Sequence, residues 1–109
     1  MNLLLSIDTA GSACAVALST PDDLLAVRVL REPRIHSAKL VPLIREVVED
    51  AGFQTRDIDA VAVSKGPGSY TGLRIGVSTA KGLAFGLDIP LVGVATFEAL
   101  GWANRAPGL

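Results

Sequence analysis

The chain has 109 residues, of which half are hydrophobic and 19% are charged. This length and composition fit one compact domain and leave no room for two. Ten basic residues stand against eleven acidic ones, and a formal charge of -1 lacks the basic excess that drives independent nucleic-acid binding. With only one cysteine, Cys14, and one histidine, His36, the chain cannot form an intrachain disulfide or a cysteine/histidine zinc site.

The chain carries no signal for export or membrane insertion. The richest apolar stretch, residues 82–94, is interrupted by Asp88 and Pro90 and is too short to span a bilayer. The N-terminus lacks a positive leader, and Asp8 falls inside its apolar run, which argues against a secretory signal. A single cysteine is consistent with a reducing compartment. We therefore expect a cytoplasmic protein without membrane contact.

The first third of the chain predicts three antiparallel strands. An unbroken apolar run, Leu3 to Ile7, ends at Asp8, as a strand buried on both faces does where it leaves a sheet. Residues 13–19 and 24–30 alternate in the period of a strand, and a Pro-Asp-Asp turn separates them. This pattern predicts a meander of three strands.

Helices and strands alternate over the remainder. Residues 37–51 have the period of an amphipathic helix, which Gly52 is expected to end. A brief helical turn at Thr55 precedes a second buried strand, 58–64. The later predicted elements are a glycine-containing helix at 72–86, a strand at 91–94 and a third helix that begins at Thr96.

The order of these elements predicts the topology. Each helical crossover places the following strand parallel to the first. The expected α/β fold is a five-stranded mixed sheet of order 3-2-1-4-5 with helices on its faces. This is the ribonuclease H-like lobe that actin-like ATPases use, and residues 1–109 are expected to form it as a single domain.

The carboxyl edge of such a sheet is where ligands collect. An acidic residue there can hold a hydrated Mg²⁺, and a glycine-rich loop that enters a helix offers backbone N–H groups to a phosphate. The candidate residues for a nucleotide or phosphate site are Asp8, Thr9, Gly66, Gly68, Ser69, Thr71 and Gly72. The glycine spacing matches neither the dinucleotide pattern nor the P-loop, so a tight structural turn remains the alternative.

The second helix contains four glycines within residues 72–86. Because an interior glycine costs about 1 kcal/mol relative to alanine, some close approach to their smooth face must offset the loss. The approaching backbone is either internal or that of another subunit; Phe85 on the polar side of the helix favours the second. The candidate interface residues are Leu40, Leu43, Ile44, Val47, Gly72, Ile75, Gly76, Thr79, Gly82, Leu83 and Gly86. Exchanging Gly76 or Gly82 for leucine is expected to block assembly and leave the chain folded.

No catalytic constellation stands out. The chain has neither a G-x-S-x-G elbow nor an H-E-x-x-H helix, so hydrolase and zinc-peptidase chemistry have no support. His36 is expected to be a cap or surface residue, and Cys14 a small buried hydrophobe. We assign no catalytic residue and no metal ligand.

Several blocks together resemble the bacterial TsaB (YeaZ) family over nearly the whole chain. The most specific is KGPGSYTGLRIG at residues 65–76; the others are IDTA at 7–10, His36-Ser37 leading into Leu40 and Pro42, KGLA at 81–84 and PLVGVA at 90–95. The resemblance implies an actin-like protein that serves the synthesis of N6-threonylcarbamoyladenosine beside the anticodon of tRNA.

The resemblance also implies a non-catalytic role. The catalytic paralogue TsaD holds a metal with two histidines four residues apart, at positions that correspond to Thr96 and Leu100 here. Neither side chain can replace an imidazole ligand. The chain is therefore expected to be an accessory subunit that binds and supports TsaD.

Further expectations follow from the same resemblance. TsaE is expected to associate with this chain through the complex with TsaD. Two copies of this chain are expected to pair when TsaD is absent, and this chain is expected to contact tRNA only indirectly. No cofactor is assigned firmly, although ATP and Mg²⁺ can enter at the level of the complex. The second lobe of the family is absent from this chain. The alternatives are an ATP- and Mg²⁺-binding lobe with ATPase activity and, last, a glycoprotease-type peptidase.

Overall fold

The computed structural model describes residues 2–9, 13–31, 37–64 and 70–94. Within these ranges the elements follow the predicted order, and every predicted boundary lies within two residues of the observed one. They are β1 (Leu4–Asp8), β2 (Cys14–Ser19), β3 (Leu24–Leu30), α1 (Ser37–Asp50), a 3-10 turn (Thr55–Asp57), β4 (Ala60–Ser64), α2 (Tyr70–Leu87) and β5 (Leu91–Val94). The helix predicted to begin at Thr96 lies outside the described residues.

The five strands form one sheet in the order β3-β2-β1-β4-β5, which confirms the predicted topology. β2 is antiparallel to both β1 and β3, whereas β4 is parallel to β1 and β5 is parallel to β4. Short turns suffice for the antiparallel pairs, but a parallel neighbour requires a crossover, and α1 and α2 supply the two that this sheet needs.

Both described helices cover the same face of the sheet. Ile7 stands opposite Val16 on one side and Val63 on the other, so their side chains share a face. Together with the other alternate strand residues they form one buried cluster with α1 and α2. The sequence predicted helices on the faces of the sheet; among the described residues, the helical cover lies on one face.

The apolar stripe of α1 is buried inside the chain. Leu40, Leu43, Ile44 and Val47 all belong to the core cluster. Each such burial contributes roughly 1.5–3 kcal/mol to folding, so packing against the sheet accounts for the periodicity. Their assignment to a subunit interface stays a prediction, and these side chains would act there as support beneath a contact surface.

Two left-handed residues end the helices. Gly52 has a φ of 84°, and the amide of Phe53 donates to the carbonyl of Val48 while that of Gly52 donates to Glu49. This hydrogen-bond pair is a Schellman cap and confirms the predicted stop at Gly52. Asp88 closes α2 in the same way with a φ of 56°, although aspartate carries a side chain that this conformation disfavours.

Two further features complete the fold. Arg28 of β3 donates from its guanidinium to the Asp50 carboxylate at the end of α1, which links the sheet edge to the helix layer. Of the helices in the described ranges, none is both long enough and apolar enough to cross a membrane.

Candidate functional site

The carboxyl edge of the sheet brings together residues far apart in the sequence. Asp8 ends β1 and Ser64 ends β4, and these strands are parallel neighbours. The hydroxyl of Ser64 donates to Oδ1 of Asp8 at 2.9 Å. Asp8 is only 6% exposed and Ser64 is fully buried. The two strand ends are therefore joined by a charge-assisted hydrogen bond that water hardly reaches.

Thr9 connects this edge to α2. Its side chain is 1% exposed and lies against the backbone of Gly76, where an added Cβ would come within 2.2 Å of Thr9 Oγ1. Only glycine leaves room for this contact. The sequence assigned Thr9 to a phosphate site and Gly76 to a subunit interface, and the structure places them against each other inside one chain.

This packing corrects one expectation. Leucine at Gly76 would drive a large side chain into a buried threonine, so the folded chain would not tolerate it. The expectation that Gly76→Leu leaves the chain intact is wrong. Gly82 differs, because nothing lies within 4 Å of a Cβ built there.

The expectation that Asp8 holds a hydrated Mg²⁺ stays a prediction. Mg²⁺ usually keeps several of its waters, and Asp8 is nearly buried with Oδ1 accepting from Ser64. Gly66, Gly68 and Ser69 lie outside the described residues, while Thr71 and Gly72 fall in the first turn of α2. A phosphate role for this loop stays a prediction.

Cys14 confirms the expectation of a buried hydrophobe. It is a free cysteine with no exposed surface. Burial, together with the nearby Asp8 carboxylate, raises the pKa of its thiol to about 11. The reactive thiolate is therefore scarce at neutral pH, and the residue serves packing rather than chemistry. Among the described residues, no group of three or more potential metal-ligating side chains converges.

The second candidate surface lies on the outer side of α2. Phe85 is 77% exposed, and Gly82 and Gly86 beside it have open space above their backbones. Ser78 is exposed one turn earlier on the same side. We call Ser78, Gly82, Phe85 and Gly86 the α2 outer surface.

The glycines that were predicted to share one face of α2 therefore lie on different sides of the helix. Gly76 faces the interior, Gly82 and Gly86 face outwards, and Ile75, Thr79 and Leu83 are half-buried between them. Sequence reasoning placed Phe85 on the opposite side from the glycines. The structure shows that Gly82 and Gly86 flank it, because a helix exposes a broad arc rather than one line of residues.

Sequence reasoning predicted Ser64 as the last residue of its strand, at the carboxyl edge of the sheet, but left it out of the candidate site residues. A signal was present, since a polar side chain at the end of a buried strand needs a hydrogen-bond partner, and the neighbouring parallel strand ends in Asp8.

The sequence matches a family model over residues 31–108, and its description is "TsaD: tRNA N6-adenosine threonylcarbamoyltransferase". The tRNA threonylcarbamoyladenosine biosynthesis protein TsaB of Escherichia coli K12 is 41% identical over 97 residues, which cover 89% of this chain and 42% of that protein. The chain belongs to the TsaD family, among its TsaB (YeaZ) members. It spans less than half the length of this relative and of the TsaB proteins of Haemophilus influenzae and Bacillus subtilis that it also matches.

Solved structures of TsaB-like proteins agree with this placement. Two from Pseudomonas aeruginosa, one called YeaZ and one described as similar to peptidase YEAZ, each align with a TM-score of 0.80 at 38% identity. The alignment covers 87% of this chain and 44% of each of theirs. Thermus thermophilus RuvC aligns with a TM-score of 0.58 at 16% identity over 85% of this chain and 63% of RuvC. That likeness concerns the ribonuclease H-like fold alone.

Proposed function

We propose that this chain acts in the biosynthesis of tRNA threonylcarbamoyladenosine, in the cytoplasm, as a non-catalytic partner that binds and supports TsaD. The family model and the names of the TsaB relatives support the pathway. The accessory role is supported by the chain's own residues, as follows.

The observation that carries the binding role is the exposure of Phe85. Full burial of an aromatic side chain stabilises a protein or a complex by roughly 1.5–3 kcal/mol, and Phe85, which is 77% exposed, lacks most of this stabilisation in the isolated chain. Buried aromatic side chains dominate the binding energy of many protein interfaces. Gly82 and Gly86 leave the adjacent backbone open, so a partner helix can approach closely on either side of the ring. The α2 outer surface thus combines an exposed aromatic side chain with adjacent backbone that a partner helix can approach.

The non-catalytic part of the proposal depends on ligand chemistry. A histidine pair cannot be assembled from a chain whose only histidine is His36. The positions that correspond to the paired histidines of TsaD carry Thr96 and Leu100. A leucine has no donor atom, and a threonine hydroxyl is a poor substitute for imidazole at a transition-metal site. The described site adds a buried Asp8–Ser64 hydrogen bond.

The wider assembly is proposed on the same grounds. The α2 outer surface pairs two copies when TsaD is absent, and TsaE joins through the complex rather than through this chain alone. Contact with tRNA is indirect, because a formal charge of -1 gives no electrostatic attraction to phosphates.

Titration calorimetry with TsaD tests the binding surface. Phe85→Ala is expected to weaken the affinity at least tenfold, which corresponds to about 1.4 kcal/mol. Val92→Ala, which changes an exposed apolar side chain on β5 rather than on α2, is the matched control and should bind as the unmodified chain does. Equal affinity of Phe85→Ala and the unmodified chain would place the contact elsewhere.

An RNA modification assay tests the role. TsaD with its other partners should modify tRNA faster when this chain is added, and this chain without TsaD should give no product. Modification by the purified chain alone would refute the non-catalytic assignment. Tight binding of Mg-ATP by the chain alone would favour the alternative of an ATPase lobe. Peptidase activity that persists through purification would favour the alternative of a glycoprotease-type peptidase.

A further inference from the structure

One row of side chains crosses the sheet on the face opposite to α1 and α2. Ser6 of β1 lies between Leu5 and Ile7, which belong to the helix-covered core, so its side chain points to the other face. The register places one alanine on either side of Ser6 and one valine on each outer strand. We call this set the open-face row: Val27, Ala17, Ser6, Ala62 and Val92.

The centre of the open-face row is buried, although no described helix lies over it. Ala17 and Ala62 are only 4% and 6% exposed, yet neither belongs to the core cluster that α1 and α2 form with the sheet. Val27 and Val92, at the two ends of the row, are 46% and 48% exposed. Methyl groups in the middle of a bare sheet face would meet water, so this pattern indicates a narrow cover along the middle of the row.

Chain length limits what can supply this cover. A helix of two turns takes about seven residues. Besides Met1, the stretches outside the described ranges are 10–12, 32–36, 65–69 and 95–109. Of these, the last alone is long enough for such a helix. It begins where β5 ends, and β1 in the middle of the sheet is two strand spacings away, roughly 10 Å.

The sequence of this last stretch suits a surface of small apolar side chains. In a helix that begins at Thr96, Phe97 and Leu100 are three residues apart and share one side, whereas Glu98 and Arg105 fall on the other. The two alanines of the open-face row leave room for such a helix to approach the sheet. On the opposite face of the sheet, α2 already packs against β4 and β5.

We propose that residues 96–106 form a helix that packs along the middle of the open-face row, with Phe97 and Leu100 against Ala17 and Ala62. The occupant of this face is thus a segment of the same chain. Helices then cover both faces of the sheet, which is a stable layer arrangement for an α/β domain. A partner protein is left with the side that α1 and α2 form.

Nuclear Overhauser spectroscopy on the whole 109-residue chain tests the contact directly. Cross-peaks are expected between the methyl protons of Ala17 and Ala62 and the side-chain protons of Phe97 and Leu100. A sample that mixes isotope-labelled and unlabelled chains identifies the source, because a contact within one chain gives no cross-peak between labelled and unlabelled protons. Absence of the cross-peaks in the first sample, or their appearance between two chains in the mixed sample, would overturn the proposal.

Two phenylalanine substitutions give an independent measurement. Phe97→Ala should lower the folding equilibrium constant at least tenfold in urea unfolding, because a ring packed against the sheet is lost. Phe85→Ala is the matched control, since it makes the same change at a largely exposed ring and should alter that constant by no more than about twofold. Equal unfolding midpoints for the two variants would show that Phe97 is not packed against the sheet and would refute the proposal.

Discussion

Replacing Gly76 with alanine tests the contact between α2 and the end of β1. A Cβ at this position would lie 2.2 Å from Thr9 Oγ1 and 3.3 Å from Thr9 Cβ. Ordinary carbon contacts lie at about 3.5–4.0 Å, so the helix and the threonine would have to separate by roughly 1 Å. Overpacking of this kind costs about 1–3 kcal/mol, whereas the better helix propensity of alanine returns at most about 1 kcal/mol.

The expected net result is a destabilisation of up to about 2 kcal/mol. Gly82→Ala is the matched control in the same helix, since nothing lies within 4 Å of its added Cβ. It should stabilise the chain by up to about 1 kcal/mol. Urea unfolding followed by circular dichroism measures both, and the midpoint should move in opposite directions for the two variants.

A double-mutant cycle isolates the contact. Thr9→Ala removes the atom that an added Cβ would meet, so Gly76→Ala should cost less in that background than in the unmodified chain. If Gly76→Ala and Gly82→Ala shift the midpoint equally, or if Thr9→Ala leaves the cost of Gly76→Ala unchanged, the tight approach of α2 to Thr9 is refuted.

Three further predictions concern single residues. Asp88→Gly should stabilise the chain by roughly 0.5–1 kcal/mol because glycine accepts a positive φ; Asp88→Ala, which keeps a Cβ, should bring no such gain in a thermal melt. Ser64→Ala should destabilise it by about 1–3 kcal/mol because the buried Asp8 carboxylate loses the hydrogen bond that Ser64 donates, and a urea midpoint no lower than that of exposed Ser78→Ala would contradict this. The pKa of the Cys14 thiol is raised from 9.0 to about 11, so the folded state holds its proton longer than the unfolded state. Stability present below pH 9 should therefore fall as the pH rises towards 11, and Cys14→Ala should flatten that part of the curve; an unchanged curve would contradict the shift.

The topology was predictable because it follows from local patterns. Strand periodicity over residues 13–19 and 24–30 and helical periodicity over 37–51 each arise from a backbone repeat of fixed geometry. Crossover rules then leave few ways to arrange such elements. Gly52 was predictable as a stop for the same reason, since its left-handed conformation is a local requirement of the chain.

The roles of Gly76, Ser64 and Asp88 were less accessible. Helical spacing placed Gly76 on one side of α2 with other glycines, but spacing does not give the depth at which a helix sits on a sheet. Thr9 meets Gly76 only because β1 and α2 are brought together by the crossover. The partner of Ser64 likewise depends on which strands become neighbours. The positive φ of Asp88 was not predictable, because aspartate, unlike glycine, is not a residue type that indicates a left-handed backbone.

The sequence alone determined the order of the elements, the apolar periodicity of the strands and helices and the family resemblance, because each depends on residue types at fixed local intervals. Tertiary structure decided which glycines face inwards, which strand ends share a hydrogen bond and which apolar side chains reach the surface. Those properties depend on distances between segments far apart in the chain, and such distances exist only after the sheet has formed and α1 and α2 have packed against it.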